Sequence, residues 1–526
     1  MTDGLFDVEE NRIMKYFLGN KRRVIPFSIF IYQYYNREKH REFEGREGMY
    51  IYRKADIAEM DSLAEKRGLR TVTLMENAGK ALFDAIVRKL GREERILILA
   101  GRGNNGGDGI VLARYLKQAG YCTDLYFPLG LPVTEAAEEH LSYFKSLGYE
   151  PATEKRDAYS IIIDAMLGAG TRLPLREEVL GEVKWANAQK ARRWAVDLPT
   201  GTAADHGKTY EAFRANVTFC LHGYKPSAFL EDSADFYGET IVLDIGLPHD
   251  SRLRVWQEED VRASMPKRAG NVHKGTFGNG LLIAGTDAMP GSAMLAGLGA
   301  MRSGIGKMTV ATTKFVSSII AGRVPECTFL QDGLEQIAEG SLPEGFRAAA
   351  IGPGLADEQL IERAVSHLLR SDLPLVLDAG AIRRRTYPER KSPVIVTPHP
   401  GEFSRITGEA VQAIQQNRLD AASRYAEKQG VILVLKGRNT VIAFPDGDLI
   451  VNRTGNAGLA KGGTGDTLTG MILAFLSFSE DVKSAVANAV YLHGACADLW
   501  KEEKAMSSML ASDLSECLPS VLKKFE

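Results

Sequence analysis

Short, continuous apolar runs alternate with segments of helical period in the first half of the chain. Residues 96–100, 161–163 and 194–196 are apolar without interruption, which is typical of strands buried on both faces. An amphipathic helical period begins at Leu74. Strand 96–100 runs into a glycine-rich loop, 101–109, and then into a second helix, which is the usual start of a βαβ unit.

The second half repeats this alternation of apolar runs and helices. A helix rich in small residues is predicted at 291–302. The apolar runs lie at 281–284, 308–311, 348–351, 375–377, 394–396 and 431–435. Strands of this kind between helices predict a mostly parallel sheet, so the predicted fold class is α/β in both halves.

The segment between residues 248 and 268 is charged and turn-rich, without a sustained period. A chain of 526 residues exceeds the size at which one core stops growing, which is about 250–300 residues. We therefore place a domain boundary in this segment and expect two domains, 49–250 and 257–526.

Residues 1–48 differ from the rest of the chain. Basic and apolar residues imitate a signal peptide there, but no small-residue cleavage site follows, so we expect no export signal. We interpret 1–48 as an extension without function that arises from an upstream start codon, with Met49 as the start of the globular protein.

Composition excludes several classes of protein. The net charge of -2 argues against nucleic-acid or anionic-membrane partners. The five cysteines are scattered, without a CxxC, and no Cys/His spacing suits structural zinc, so we expect a protein of the reducing cytoplasm. No apolar run reaches the roughly 18 residues of a membrane-spanning helix.

One stretch of the second half has the pattern of an anion site. Residues 460–467 form a glycine turn that opens an amphipathic helix, and backbone N–H groups at a helix N-terminus attract phosphate. Asp466 at this position would repel phosphate unless its carboxylate has a function, such as accepting a proton from an attacking hydroxyl. The alternative is that Asp466 only caps the helix, and the spacing favours neither reading.

Polar residues follow the predicted strands of the first half. Asn104, Asn105 and Asp108 lie in the glycine loop, and Asp164 and Asp197 follow two further strands. The loop matches G-x-G-x-x-G, which is weak evidence alone, and it lacks the Gly-Lys-Ser/Thr ending of a P-loop. Open α/β sheets bind ligands at the carboxyl ends of their strands, so we expect these loops to form one crevice.

The second half places polar groups in the same way. Asp378, His399, Glu402, Lys436 and Asp466 follow its predicted strands. A surface role for His399, or a strand-terminating role for Lys436, is the less favoured interpretation, because each lies in a motif rich in proline or glycine.

The first half resembles the NAD(P)H-hydrate epimerase family over most of 49–250. The resemblance rests on the motifs at 75–79, 101–109, 164–168 and 197–201. It implies a Rossmann-like, doubly wound domain that interconverts the R and S forms of hydrated NADH or NADPH. It further implies that the damaged dinucleotide binds Asn104, Asn105, Gly106, Gly107, Asp108, Gly168, Ala169, Gly170, Thr171, Arg172, Leu173, Pro174 and Asp197.

The same resemblance implies a potassium site at Asn105, Asp164 and Thr200. Oxygen ligands of these types suit a hard cation, and Thr200 keeps the hydroxyl of the serine that is usual in the family. Epimerisation requires the hydroxyl-bearing carbon C6 to become planar and to be attacked from its other face. We hypothesise that Asp197 is the acid/base group for this step.

The second half resembles the ribokinase-like fold and, within it, the NAD(P)H-hydrate dehydratases, over roughly 265–520. The 462–466 motif alone also fits vitamin kinases, and the motifs at 273–275, 352–354, 397–402 and 456–458 discriminate between the two. The resemblance implies that the hydrate binds Gly354, His399, Pro400, Gly401, Glu402, Phe403, Ser404, Arg405 and Asp466. It implies that ADP binds Lys436, Gly437, Arg438, Asn439, Thr440, Asn456, Ala457, Gly458, Leu459, Ala460, Lys461, Gly462, Gly463, Thr464 and Gly465.

The sequence departs from the family pattern at 378–380 and 354–356. We expect these departures to affect how closely the ligands fit more than the chemistry. Together the halves predict a bifunctional repair enzyme with Asp197 and Asp466 as catalytic residues. It would use potassium in the first half and ADP with magnesium in the second, and it is expected to be a homo-oligomer. The alternatives are a small-alcohol kinase for the second half and a non-catalytic nucleotide-binding module for the first.

Overall fold

The computed structural model describes residues 49–156, 158–267 and 270–526. The expectations for the extension 1–48 lie outside the described residues. Two sheets with helices on both faces make up the described chain. The α/β fold class predicted from the sequence is confirmed. In the described residues no helix has the length and apolar character needed to cross a membrane.

The elements of the first half lie between residues 49 and 256. Its strands are β1 (Met49–Tyr50), β2 (Arg95–Ala100), β3 (Cys122–Tyr126), β4 (Ile161–Ala165), β5 (Arg192–Val196), β6 (Val217–Leu221), β7 (Glu239–Leu243) and β8 (Leu253–Trp256). Its helices are α1 (Lys54–Lys66), α2 (Thr71–Ile86), α3 (Asn104–Gln118), α4 (Glu135–Ser146), α5 (Glu177–Ala188) and α6 (Glu231–Tyr237).

The elements of the second half begin with a short helix. Its strands are β9 (Asn279–Ile283), β10 (Lys307–Thr312), β11 (Thr328–Gln331), β12 (Ala348–Ile351), β13 (Leu375–Leu377), β14 (Val394–Val396), β15 (Ile432–Leu435), β16 (Thr440–Ala443) and β17 (Leu449–Asn452). Its helices are α7 (Glu258–Ser264), α8 (Pro290–Arg302), α9 (Lys314–Ala321), α10 (Gly333–Ala338), α11 (Glu358–Leu368), α12 (Pro400–Thr407), α13 (Val411–Gln416), α14 (Arg418–Gln429), α15 (Thr464–Phe478), α16 (Val482–Glu503) and α17 (Ala511–Leu522).

The first sheet is parallel throughout, in the order β3-β2-β4-β5-β6-β7. Both faces of β2 are covered, because Ile98 packs into the core beside α2–α4 while Leu97 packs into the core beside α5. The chain reverses its direction across the sheet between β2 and β4. Such a switch point opens a crevice at the carboxyl ends of the two strands.

The second sheet has the order β1-β8-β17-β16-β15-β14-β13-β12-β9-β10-β11. Neighbouring strands from β11 to β15 are parallel, whereas β16 pairs antiparallel with both β15 and β17. One face packs on α8 and α15–α17, and the other on α10–α14. The predicted mostly parallel sheet between helices is therefore confirmed.

The two halves share part of their buried core. Strand β1, at the start of the first half, pairs with β8 at the edge of the second sheet. Ile51, Tyr224 and Phe229 lie in the same apolar cluster as Val441 and Leu449. The division into domains 49–250 and 257–526 stays a prediction.

The segment around 248–268 is more regular than the sequence suggested. It contains β8 and α7 instead of a run of turns. Leu253 and Val255 point into the core, but the charged residues around them mask this short alternation.

The predicted loop 101–109 is also too long, because α3 begins at Asn104. The glycines inside its first turns serve close packing. A Cβ at Gly106 would lie 1.9 Å from the carbonyl oxygen of Gly101, and one at Gly107 would lie 2.3 Å from Met75 Sδ. Similarly, α2 begins at Thr71, before the predicted Leu74.

Helix α15 is not the amphipathic helix that the sequence predicted. Nearly every residue from Thr467 to Ser477 is buried. The helix packs against the sheet on one side and against α8, α16 and α17 on the others. A helix enclosed in this way needs no polar face.

Candidate active sites

A cavity of about 740 Å³ opens at the carboxyl edge of the first sheet. This volume is within the usual range for a small-molecule site. Among the predicted residues, its wall contains Asn104, Asn105, Asp108, Gly168, Ala169, Gly170, Thr171, Arg172 and Asp197. The wall as described does not include the predicted Gly106, Gly107, Leu173 and Pro174.

Asp164 and Thr200 form a fully buried pair at the end of β4. The Thr200 backbone N–H donates to Asp164 Oδ2 at 2.7 Å, and the Thr200 hydroxyl donates to Asp164 Oδ1 at 2.8 Å. Burial raises the pKa of Asp164 to about 6, although the hydrogen bonds from Thr200 and Met166 act in the opposite direction. A neighbouring cation would stabilise the ionised form of this carboxyl.

Asn105 supplies a buried oxygen near this pair. Its Nδ2 donates to the carbonyl of Leu167 at 3.1 Å, and the Leu167 N–H donates to Thr200 Oγ1 at 3.1 Å. Asn105 Oδ1 is buried without a hydrogen-bond donor among the described residues. Amide, carboxylate and hydroxyl oxygens are ligands for hard cations, so the donor set fits a potassium ion.

Asp197 follows β5 and is ion-paired with Lys225, whose side chain is only 2% exposed. Lys225 Nζ also donates to the carbonyls of Leu221, at 3.0 Å, and Gly223, at 3.2 Å. Asp197 Oδ1 accepts a further hydrogen bond from the Leu221 N–H at 3.2 Å. The backbone of Asp197 is left-handed, with φ 68°, a conformation that a non-glycine residue adopts at a cost of about 1–3 kcal/mol.

Two more carboxyl groups share this wall of the cavity. Burial raises the pKa of Asp108 well above its ordinary value, and the negative charges of Asp197 and Asp61 raise it further. Burial and the charge of Asp197 also raise the pKa of Asp61, while Lys225 opposes both shifts. At least one carboxyl group of the cluster therefore keeps its proton at pH values above the usual pKa range of aspartate.

The sequence found Asp108 and Asp197 but missed Lys225 and Asp61. Lys225 follows β6 at the same edge of the sheet, so its position after a strand was the available signal. Asp61 lies on α1, which has no buried residues. Nothing in its local pattern separates it from a surface acid.

The second candidate site lies at the carboxyl ends of four adjacent strands. Gly354 follows β12, Asp378 follows β13, His399 follows β14 and Lys436 follows β15. The first turn of α15 brings Asp466 close enough to interact electrostatically with Asp378 and Lys436. The structure therefore brings Asp378, Lys436 and Asp466 together at this edge of the sheet.

Lys436 is held by Asp378. Its Nζ donates to Asp378 Oδ1 at 3.0 Å, and the Thr397 hydroxyl donates to the same oxygen at 2.7 Å. Burial lowers the pKa of Lys436, but the charges of Asp378 and Glu402 outweigh this effect, so the pKa lies above its ordinary value. Lys436 therefore stays cationic beside the glycine turn.

Asp466 does not cap helix α15. The N-cap is Gly463, with φ 91°, and Asp466 lies in the first turn without a capping hydrogen bond. Its carboxylate instead interacts with Ser292, which lies where a side chain at Gly354 would be. Burial raises the pKa of Asp466 to about 6; the charge of Asp378 adds to this, whereas Ser292 and Lys436 oppose it.

His399 caps helix α12. Its Nδ1 accepts hydrogen bonds from the N–H groups of Gly401, at 3.0 Å, and Glu402, at 3.4 Å. The Glu402 carboxylate accepts the His399 N–H at 2.8 Å, which completes a capping box. This arrangement fixes the start of the predicted hydrate-binding segment, which continues through Pro400, Phe403, Ser404 and Arg405.

Several side chains of the predicted ADP segments are occupied by the protein itself. Asn439 donates to the carbonyl of Phe229 at 3.0 Å, and Arg438 is ion-paired with Asp235 at 2.5 Å. Asn456 donates to Asp498 Oδ1 at 3.0 Å. A nucleotide at these segments would therefore meet mainly backbone groups, which suits phosphate binding at the glycine turn.

The arrangement combines an anion-binding helix N-terminus, a fixed ammonium and an aspartate able to accept a proton. These are the components of phosphoryl transfer, which depends mostly on positioning and electrostatic stabilisation. A pKa of about 6 leaves the Asp466 carboxylate mostly ionised at neutral pH and still basic enough to accept a proton.

Comparisons with known proteins agree with this geometry. Residues 280–520 match the family model described as NAD(P)H-hydrate dehydratase. Residues 71–227 match the model described as YjeF-related protein N-terminus. The two models match the two halves of the chain separately.

A solved structure resembles the second half. The ADP/ATP-dependent NAD(P)H-hydrate dehydratase of Bacillus subtilis, co-crystallised with ATP and Mg²⁺, is 54% identical with a TM-score of 0.51. The match covers 52% of this chain and 98% of that chain.

Curated relatives extend the similarity across both halves. The ADP-dependent (S)-NAD(P)H-hydrate dehydratase of Bacillus subtilis is 55% identical over 271 residues, 52% of this chain and 98% of its own length. The bifunctional NAD(P)H-hydrate repair enzyme Nnr of Moorella thermoacetica is 32% identical over 522 residues, 91% of this chain and 97% of its own length. That of Archaeoglobus fulgidus is 35% identical and covers 89% of this chain. With two sites on one polypeptide and relatives that match nearly its whole length, the chain belongs to the bifunctional NAD(P)H-hydrate repair enzymes.

Proposed function

We propose that this enzyme repairs hydrated NADH and NADPH in two steps. The first half interconverts the R and S hydrates, and the second half dehydrates the S hydrate with ADP, releasing AMP and phosphate. The observation that carries this proposal is that each half places an aspartate beside a lysine at the carboxyl edge of its sheet. The small-alcohol kinase and the non-catalytic module are not favoured, because the relatives that match both halves are repair enzymes.

In the first half, the hydrate occupies the cavity lined by Asn104, Asp108 and 168–172. Asp197 accepts the proton of the C6 hydroxyl, and Lys225 holds the carboxylate in place. The ion pair and the left-handed backbone at Asp197 support this role, since strained backbone is commonly found at active sites.

In the second half, Asp466 removes the proton of the C6 hydroxyl while that oxygen attacks the β-phosphorus of ADP. Phosphate then leaves with the electron pair of the C6–O bond, pushed by the ring nitrogen, and loss of a proton from C5 restores the double bond. Lys436 and the backbone of 462–465 stabilise the charge on the transferring phosphoryl group. Magnesium with ADP would add positive charge at the phosphates, as the ATP and Mg²⁺ of the Bacillus subtilis crystal suggest.

Potassium in the first half is part of the proposal. Asn105, Asp164 and Thr200 would hold it, and the ion would supply positive charge beside the dinucleotide. Two observations support this site. Asn105 Oδ1 is buried without a hydrogen-bond donor among the described residues, and the Asp164 carboxyl is fully buried. We expect potassium chloride, but not choline chloride, to raise the thermal unfolding temperature, and Thr200→Val to abolish that difference. An equal effect of both salts on the native protein would contradict the site.

The function is tested by incubating the protein with the mixed hydrates and ADP. We expect recovery of reduced-nicotinamide absorbance from both epimers. A protein without epimerase activity would consume only the S hydrate of the mixture. Phosphorylation of a small alcohol without any recovery would favour the kinase instead. A homo-oligomeric state and a cytoplasmic location stay predictions.

A further inference from the structure

Four charged side chains meet on one wall of the first cavity. Asp61 comes from α1, Asp108 from α3, Asp197 from the end of β5 and Lys225 from the segment after β6. All four interact electrostatically with one another. The wall is therefore assembled from distant parts of the sequence.

One ammonium faces three carboxyl groups in this cluster. Lys225 is committed to Asp197 and to the carbonyls of Leu221 and Gly223. Across residues 49–156, 158–267 and 270–526, no group donates a hydrogen bond to Asp61. His222, on the same wall, is buried and adds no charge, since burial lowers its pKa to about 4.

Asp61 and Asp108 differ in their access to a ligand. Asp108 is only 8% exposed, whereas Asp61 is exposed on the cavity surface. The protein around the cavity nevertheless desolvates Asp61, and Asp197 repels its negative charge, so its pKa is raised. Asp61 thus faces the ligand and holds a proton more readily than an ordinary aspartate.

Epimerisation at C6 requires proton transfer at two atoms. The hydroxyl proton leaves as the C6–N1 bond breaks, the oxygen becomes an aldehyde carbonyl, and the electron pair of the broken bond stays on N1, which takes up a proton. Rotation about C5–C6 and the reverse transfers then close the ring on the other face of C6. No proton, electron or atom is gained or lost overall, but both an acid and a base are needed.

We propose that Asp61 is the second catalytic residue of epimerisation and donates the proton to N1 while Asp197 accepts the hydroxyl proton. The proposal rests on the epimerase function of this cavity. Asp197 is suited to act as the base because its ion pair with Lys225 and the hydrogen bond from the Leu221 N–H hold its carboxylate in place at the cavity wall. Asp61 is suited to act as the acid because it has no cationic partner of its own. It lines the cavity from α1, which lies along the cavity wall.

The test compares Asp61→Asn with Glu65→Gln in the full-length enzyme. Glu65 lies on the same helix, is exposed and is outside the cavity wall, so it controls for the loss of one carboxylate from α1. Exchange between purified R and S hydrates is followed from pH 5 to 9, with ADP-dependent dehydration of the S hydrate and thermal unfolding as measures of an intact fold. Asp61→Glu supplies a conservative variant.

We expect Asp61→Asn to lower kcat for exchange by about 10²-fold or more, with a small change in KM and normal dehydration. The fall in wild-type exchange at high pH, where Asp61 loses its proton, should be absent from this variant. Asp61→Glu should recover part of the rate, and Glu65→Gln should behave as wild type.

Three results would overturn the proposal. Exchange by Asp61→Asn at the wild-type rate, or a change in KM alone, would show that Asp61 is not a proton donor. An equal loss of rate in Glu65→Gln would point to disruption of α1 instead. Absence of exchange by the wild-type enzyme would refute the epimerase function itself, and with it this role, whereas the first two results would leave that function standing.

Discussion

The two halves use a lysine and aspartates at the edge of a parallel sheet in opposite ways. In the first half, Lys225 pairs directly with Asp197, the proposed base. In the second, Lys436 pairs with Asp378 and leaves Asp466 with Ser292. The same pair of residue types therefore fixes the proposed base in one site and fixes the phosphate-facing cation in the other.

This difference agrees with the different charges of the two reactions. Phosphoryl transfer brings several negative charges to the second site, so a lysine held beside the glycine turn is useful. Epimerisation changes no net charge, and the cluster around Asp197 instead contains two carboxyl groups with raised pKa values, Asp61 and Asp108. In both sites burial raises the pKa of a carboxyl group that has no lysine of its own, and the nearby lysine opposes the shift.

The largest expected effect is that of Asp197→Asn. Exchange of the epimers should become unmeasurable, and the free energy of unfolding should fall by about 3–5 kcal/mol, because Lys225 would remain buried without its partner. Kinetic assays and chemical denaturation measure the two effects. Adding Lys225→Met should restore much of the stability but none of the exchange. Normal exchange by Asp197→Asn would exclude it as the base.

Asp466→Asn should affect only the second reaction. Dehydration should slow by about 10²–10⁴-fold, since asparagine cannot accept the hydroxyl proton. Epimer exchange should stay nearly unchanged and helix α15 should stay intact, because Asp466 makes no capping hydrogen bond. ADP should still bind, as calorimetry can show. Near-normal dehydration by the folded variant would contradict the proposed mechanism.

The pH dependence of dehydration should follow the raised pKa of Asp466. Below pH of about 6 the carboxyl takes up a proton, so kcat should fall about tenfold for each further pH unit. Asp378→Asn should move this arm to lower pH, because it removes a negative charge near Asp466 and frees Lys436. An arm that stays at the same pH in Asp378→Asn would show that another group titrates.

The raised pKa also affects stability. Asp466 binds its proton more tightly in the folded than in the unfolded chain, so its contribution favours the folded state at low pH and is lost as pH rises from about 4 to 6. Asp466→Asn should remove this dependence. Denaturation at pH 4 and pH 7 measures the difference between the two proteins.

The smallest expected effect is that of separating the halves. Fragments 49–250 and 251–526 should each keep their own activity, because each cavity or strand edge is built within one half. Both should unfold at lower temperature than the whole enzyme, since the cut exposes the shared cluster around Tyr224 and Phe229. Loss of either activity in a folded fragment would show that the sites depend on each other.

Much of the fold was predictable from the sequence because buried parallel strands are continuous apolar runs, as at 96–100 and 432–435. The sequence failed where packing overrides local pattern. Helix α15 is buried on all sides, and the glycines of α3 that look like a loop lie in a helix, where neighbouring groups leave no room for a Cβ.

The site was predictable where its residues follow strands, as Asp164, Asp197, Asp378 and Lys436 do. Asp61 could not be found in this way, because its role depends on a helix folding over a distant cavity. The Asn439 side chain donates to the carbonyl of Phe229 in the other half, a contact that the sequence did not indicate, and its assignment to ADP stays a prediction. Contacts between elements far apart in sequence leave no local pattern.

The position of β1 has a consequence for the order in which the protein forms during synthesis. Among the described residues, Met49–Tyr50 pairs with β8 and Tyr50 also accepts a hydrogen bond from the Tyr224 N–H, while β8 completes its place in the sheet by pairing with β17 at Leu449–Asn452. A two-stranded ribbon is marginally stable alone. The β1–β8 ribbon is therefore synthesised early but completed late, because β8 has no partner on its other side until β17, near the end of the second half, has been translated.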